Sequence, residues 1–261
     1  MKKICVISGT RAEYGLLRSL ISAIDNSNSL ILQLLVTGSH LSPEFGNTIS
    51  EIYKDGFNID RKVEILLSSD TSIGICKSMG LATIGFSDAF GDLSPDVVVI
   101  LGDRFEMLSV ASVAMIMRIP VLHIHGGEIT MGAFDDSIRH SITKMSNIHC
   151  VAADPYRNRV IQLGEDPRLV HNVGGLGVDS INSTTFLSQS ELEDILDISL
   201  SKQTFLVTYH PATLSSRSNL DDVRELLLAL NHYRDSNIIF THPNQDTEGR
   251  QIRDLIGKFC I

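Results

Sequence analysis

The stretch Asp96-Val97-Val98-Val99-Ile100-Leu101, followed at once by Gly102-Asp103-Arg104-Phe105-Glu106, decides how the rest of the chain is read. A run that is apolar at both odd and even positions has both faces buried, as a central strand of a parallel sheet does. Working outward, short β-branched runs alternate with longer helical stretches, the pattern of βαβ units and an α/β fold. Upstream, strands are expected over 4–7, 30–36 and 63–67, with helices from 11 to about 23, over 43–54 and over 72–90. Downstream, a helix to 117 leads to a strand over 121–124, a long loop, a helix from 136 to about 145, and strands over 149–152 and 169–173. Near Gly174-Gly175 the chain is read as changing domain, giving an N-terminal α/β domain over 1–172 and a second over 173–261. The second offers a helix around Glu191, strands over 205–208 and 238–240, a helix over 220–233 and a last helix. Two strands are marginal for an independent sheet. The apolar end at Lys258-Phe259-Cys260-Ile261 therefore reads as a cut through an incomplete second domain, and the chain is expected to be poorly soluble or to form a homo-oligomer.

With 261 residues, 43% hydrophobic and 20% charged, the chain can bury a core. Twenty-two basic against 31 acidic residues give a net charge of −9, which opposes binding to nucleic acid or an anionic membrane. A small anion remains feasible where a few arginines converge. No window approaches the ~18 apolar residues of a membrane span. The start Met1-Lys2-Lys3 meets Arg11 and Glu13 too soon for a signal peptide. Cys5, Cys76, Cys150 and Cys260 are widely spaced and read as reduced thiols of a cytoplasmic protein.

Ligands of open parallel sheets sit outside the carboxyl ends of the strands, and the polar clusters of this sequence fall there repeatedly. Strand 1 ends in Gly9-Thr10-Arg11, where a turn into a helix frees backbone N–H groups for an anion and Arg11 adds donors. The central strand ends in Asp103-Arg104, with Asp103 either functional or the cap of the next helix. The next strand ends in His123-Ile124-His125-Gly126-Gly127-Glu128. Alternation along a strand puts both histidines on one face, as one proton-transfer His with one structural His or, with Glu128 and Asp135, as a metal site. In the segment from Phe134 to Lys144, Asp135, Asp136 or Ser137 can cap a helix that also presents Arg139 and His140. Two further loops, Tyr209-His210-Pro211 and His242-Pro243-Asn244, follow strands of the second half.

Taken together, these segments resemble the hydrolysing UDP-N-acetylglucosamine 2-epimerases of sialic-acid synthesis. Relatives acting on bacillosamine-type nucleotide sugars of the legionaminic-acid pathway share the motifs, and the stretches 42–46 and 62–71 look closer to that branch. The resemblance implies two Rossmann-like domains in a glycosyltransferase-B-like arrangement with the nucleotide sugar between them. It implies anti elimination of UDP to a glycal, then addition of water with inversion at carbon 2, giving N-acetylmannosamine and UDP without metal or redox cofactor. By the same resemblance, Asp103, His125, Glu128 and Asp135 supply acid–base groups, and Arg11, Arg104, Arg139, His140, His210 and Asn244 hold the nucleotide sugar. Many relatives carry Glu where this chain has His125, which leaves the acid and base roles open. The alternatives are a non-hydrolysing epimerase, a non-catalytic nucleotide-sugar-binding module and a retaining glycosyltransferase relative.

Overall fold

The computed structural model describes residues 1–69, 71–212, 218–241 and 248–260. Seven strands form one parallel sheet: β1 (Lys2–Ser8), β2 (Leu30–Thr37), β3 (Arg61–Val63), β4 (Val97–Leu101), β5 (Val121–Ile124), β6 (Ile148–Val151) and β7 (Val170–Asn172). Their order is β3-β2-β1-β4-β5-β6-β7. The chain builds outward from β1, then crosses back to β4 on the other side. That reversal opens a crevice at the carboxyl ends of β1 and β4, where a doubly wound sheet binds its ligand.

The register, with Val6 beside Val99, explains why these strands are apolar throughout. Cys5, Ile7, Val98 and Ile100 face one layer, packed against Phe86 and Phe90 of α3 (Ser72–Leu93) and Met107 and Val110 of α4 (Phe105–Ile116). Val6, Val36, Val99 and Leu101 face the other, packed against Tyr14, Leu17 and Ile21 of α1 (Arg11–Asp25) and Ile52 of α2 (Ile49–Lys54). The first sheet is completed by α5 (Asp135–Met145), α6 (Asp154–Gln162) and α7 (Leu176–Ser183).

Several sequence expectations are corrected. The helix expected over 43–54 is split into a short 3₁₀ turn, Pro43–Phe45, and α2, because Gly46 and Asn47 both take left-handed backbone. The third strand pairs over Arg61–Val63 only, although Ile65 beyond it is still buried. Helices α6 and α7 had no counterpart in the sequence reading. The first compact unit runs through Ser183, not residue 172. The reason is α7, whose Ser180 hydroxyl donates to the Gly15 carbonyl of α1 at 3.0 Å.

The second unit, over 184–261, holds α8 (Gln189–Leu196), β8 (Thr204–Val207), α9 (Asn219–Leu230), β9 (Asn237–Phe240) and α10 (Gly249–Phe259). β8 and β9 pair in parallel, and Val223, Leu227, Ile252 and Ile256 make a small helical core. Among the described residues no helix is long and apolar enough to cross a membrane.

Candidate active site

The turn after β1 is not the open anion cradle that its sequence suggested. Thr10 caps α1 by accepting from Glu13 N at 3.2 Å, and the Glu13 carboxylate accepts from Gly9 N at 2.8 Å and Thr10 N at 3.1 Å. The chain's own side chain therefore occupies the N–H groups offered to a ligand. Arg11 lies in the open and pairs with Glu51 at 3.1 Å.

At the end of β4, Gly102 turns with φ +77° and delivers Asp103 and Arg104. The helix-cap alternative for Asp103 does not hold: Arg104 occupies the cap position with no side-chain cap bond. Asp103 instead forms an ion pair with Arg139 of α5, 36 residues away. Arg139 is almost fully buried, and burial holds its guanidinium below its ordinary pKa. Its Nη2 also donates to Thr130 Oγ1 at 2.8 Å, while its Nη1 is buried without a hydrogen-bond partner, 3.7 Å from Asp136. Asp136 further approaches His140 at 3.6 Å and accepts from Thr130 N at 3.0 Å. None of the three candidates Asp135, Asp136 and Ser137 caps α5; Phe134 holds that position without a side-chain bond. Asp135 stands in the first turn of the helix.

His123 within β5 and His125 just after it do not share a face, because the strand ends at Ile124 and His125 turns into left-handed backbone with φ +64°. His123 points into the interior, with Nε2 2.8 Å from the Gly102 carbonyl and Nδ1 3.2 Å from Thr143 Oγ1. Burial pushes its pKa down to about 4. A neutral imidazole donating to Gly102 ties the β4 tip to the helix that carries Arg139. His125 Nδ1 pairs with Glu128 at 2.9 Å, and its Nε2 is buried without a partner. Among the described residues no group of three His, Cys, Asp or Glu is arranged to hold a metal ion. The Gly126-Gly127 pair serves the turn itself: a Cβ on Gly127 would sit 2.4 Å from the Tyr156 carbonyl oxygen.

Asp103, Arg139 and His140 thus come together with Asp136 and Thr130, and His125 with Glu128, while Arg104 pairs with buried Glu106 at 2.9 Å. All three arginines expected to meet a diphosphate already face a carboxylate. His210 stands on an exposed loop after β8 in the second unit, and Asn244 lies outside the described residues. Sequence reasoning missed Thr130, Glu13 and Glu106. For Glu13 a signal existed, since Thr10-x-x-Glu13 is the capping-box pattern.

The model of the UDP-N-acetylglucosamine 2-epimerase family matches residues 22–260. The chain is 49% identical to a GDP/UDP-N,N'-diacetylbacillosamine 2-epimerase (hydrolyzing) of Campylobacter jejuni, over 99% of this chain and 67% of that protein. It is 41% identical to the polysialic acid biosynthesis protein P7 of Escherichia coli, over 100% of this chain and 66% of that protein. It thus spans about two thirds of the length of these relatives. In fold it matches the crystal structure of a UDP-GlcNAc 2-epimerase from Neisseria meningitidis bound to UDP-GlcNAc, with TM-score 0.76 and 17% identity over 99% of this chain and 70% of that one. A family match over nearly the whole length and relatives at this identity agree: the chain belongs to the UDP-N-acetylglucosamine 2-epimerase family.

Proposed function

We propose that this chain carries the acid–base site of a hydrolysing 2-epimerase acting on a nucleoside-diphosphate N,N'-diacetylbacillosamine, in preference to UDP-N-acetylglucosamine. The observation that carries the reading is the 49% identity, over 99% of this chain, with a hydrolysing epimerase of that substrate. The reaction takes the nucleotide sugar and water to the free 2-epimeric sugar and nucleoside diphosphate. A base removes the carbon-2 proton as the diphosphate leaves carbon 1, and water then adds across the glycal while carbon 2 is reprotonated from the other face.

The geometry supports groups for both proton transfers. The Asp103 carboxylate is held in orientation by Arg139, as a positioned base must be. Glu128, accepting from Nδ1–H of His125, fixes the tautomer that leaves Nε2 free to take or give a proton. Asp135, at the start of α5, remains a further candidate acid–base group. Nη1 of Arg139, buried and 3.7 Å from Asp136 without a hydrogen bond, can donate to a substrate oxygen, and Arg11 and Arg104 supply charge for the diphosphate once a ligand competes for their carboxylates. His140, His210 and Asn244 are kept as nucleotide-sugar contacts.

The test offers the chain UDP- and GDP-N,N'-diacetylbacillosamine and UDP-N-acetylglucosamine in D₂O. The expected products are nucleoside diphosphate and a free diacetamido sugar carrying one deuterium at carbon 2, with Asp103→Asn slowing release by ~10²–10⁴. Faster turnover of UDP-N-acetylglucosamine to N-acetylmannosamine would overturn the substrate. A product still bearing its nucleotide would overturn the hydrolysis.

A further inference from the structure

Beneath the β1–α1 turn lies a pair of acids that the reaction above does not use. Glu13 of α1 and Glu106 of α4 are both buried, Glu106 completely. They converge on Gly9, where an added Cβ would lie 2.9 Å from Glu106 Oε1 and 3.2 Å from Glu13 Oε2. Each carboxylate engages one oxygen: Glu13 Oε2 accepts from Gly9 N and Thr10 N, and Glu106 Oε1 accepts from Arg104 Nε at 2.9 Å. The other two oxygens, Glu13 Oε1 and Glu106 Oε2, are buried with no hydrogen-bond partner. Two carboxylates thus share one nearby guanidinium, and a surplus buried negative charge is costly unless a proton neutralises it.

We propose that Glu13 and Glu106 hold a single proton between them, and that this half-protonated pair positions Arg104 and the Gly9–Arg11 turn at the mouth of the sheet. Neither acid reaches substrate; they act through Arg104 and the turn, so their effect on ligand rests on the nucleotide reading above. Burial first, and then the charge of Glu106, pushes Glu13 up to about 7, against the opposing pull of Arg104 and the two backbone N–H groups. Of the groups facing the pair, Arg104 is the cation. His40, packed from the loop after β2 with its N–H on the Gly9 carbonyl, is held neutral by burial, its pKa pushed down to about 4.

The sign of the linkage follows. A carboxyl whose folded pKa lies above its unfolded value contributes stability that is present at low pH and lost as pH rises, in this case from 4.5 to about 7. His40 and His123, with lowered values, pull the other way across part of that window. The readout is therefore the difference between wild type and variant.

Glu13→Gln copies the uncharged acid: its amide oxygen can accept from Gly9 and Thr10, and it sets no second negative charge beside Glu106. Melting curves of the full chain should show Glu13→Gln gaining on wild type as pH rises from 4.5 to about 7. Infrared difference spectra should show a buried protonated carboxyl in wild type at the middle of that window and none in Glu13→Gln. In Glu106→Gln, which tests the pair even if the first variant does not fold, the same signal should titrate at lower pH. Calorimetric titration with UDP reads the positioning of Arg104: affinity should weaken with pH more steeply in wild type than in Glu13→Gln. Parallel melting curves, or no protonated carboxyl in wild type, would overturn the shared proton. Equal pH slopes of UDP affinity would overturn the positioning role. Failure of every form to bind UDP would instead overturn the nucleotide reading and with it the positioning role, leaving the melting and infrared results to decide the proton alone.

Discussion

The turn after β1 and the turn after β5 occupy equivalent places, each leading from the carboxyl end of a parallel strand toward a helix, yet they are built on opposite principles. The β1 turn is short and closes on itself: Thr10 and Glu13 satisfy one another's backbone through a capping box. The β5 turn runs ten residues, from His125 to Phe134, before α5 begins, and its helix has no side-chain cap. Its polar groups are turned toward one another and toward β4 instead. Asp136 takes Thr130 and faces Arg139 and His140, and His125 sits in left-handed backbone with one nitrogen unpaired. A non-glycine residue held there costs on the order of 1–3 kcal/mol and persists only where its surroundings over-determine it. The β1 turn spends Thr10 and Glu13 on its own backbone; on the reading proposed above, the β5 turn keeps His125 for a ligand.

The largest effect expected from breaking this contrast is at His125. Asn tolerates left-handed backbone and keeps a polar group beside Glu128, but it cannot exchange a proton near neutral pH. His125→Asn should therefore lower turnover by ~10²–10⁴ while the unfolding free energy changes by less than about 1 kcal/mol. Nucleoside diphosphate release and a denaturant melt on the same preparation check both halves. Full activity would mean that the β5 turn is only a connection.

Much of this architecture was legible in the sequence, because burial on both faces leaves an unbroken apolar run. The strand Val121–Ile124 appeared with its observed limits, and the central strand and the long helix Ser72–Leu93 within a few residues. Helix α7 was hidden because its sequence, Leu176 to Ser183, gains its place from α1 and not from its own periodicity. Asp103, His125 and Arg139 were singled out in the sequence, and Glu128 was grouped with His125, whereas the pairing of Asp103 with Arg139 was not legible. Which cation a carboxylate chooses is a tertiary matter: Asp103 ignores adjacent Arg104 for Arg139, and Arg104 turns to Glu106. The left-handed turn at His125 likewise broke the period-two rule that had put it beside His123.

A middle-sized effect sharpens the comparison through packing. Gly127 has φ +81°, and a methyl group there would meet the Tyr156 carbonyl at 2.4 Å, an oxygen on the backbone of α6 that cannot swing aside. Arg159 of the same helix donates to the Gly127 carbonyl, so the turn is clamped to α6 from both sides. Gly127→Ala should cost about 2–3 kcal/mol, from the left-handed strain together with the displaced helix. A chemical-denaturation midpoint reads it. A neutral result would mean that the β5 turn moves freely on α6.

The smallest effect is expected at the turn that closes on itself. Thr10→Ala removes the hydroxyl that accepts from Glu13 N, yet leaves the Glu13 carboxylate on Gly9 N and Thr10 N, so only half of the capping box is lost. The cost should be about 1 kcal/mol in unfolding free energy, and Thr10→Ser, which restores the acceptor, should recover most of it. Thr10 is buried, so part of any loss could come from its methyl group, and the serine variant separates that from the cap. A loss well above 2 kcal/mol that serine does not repair would break the comparison. It would mean that the β1 turn is held by its packing over the Glu13–Glu106 pair, and that its backbone bonds follow from that packing.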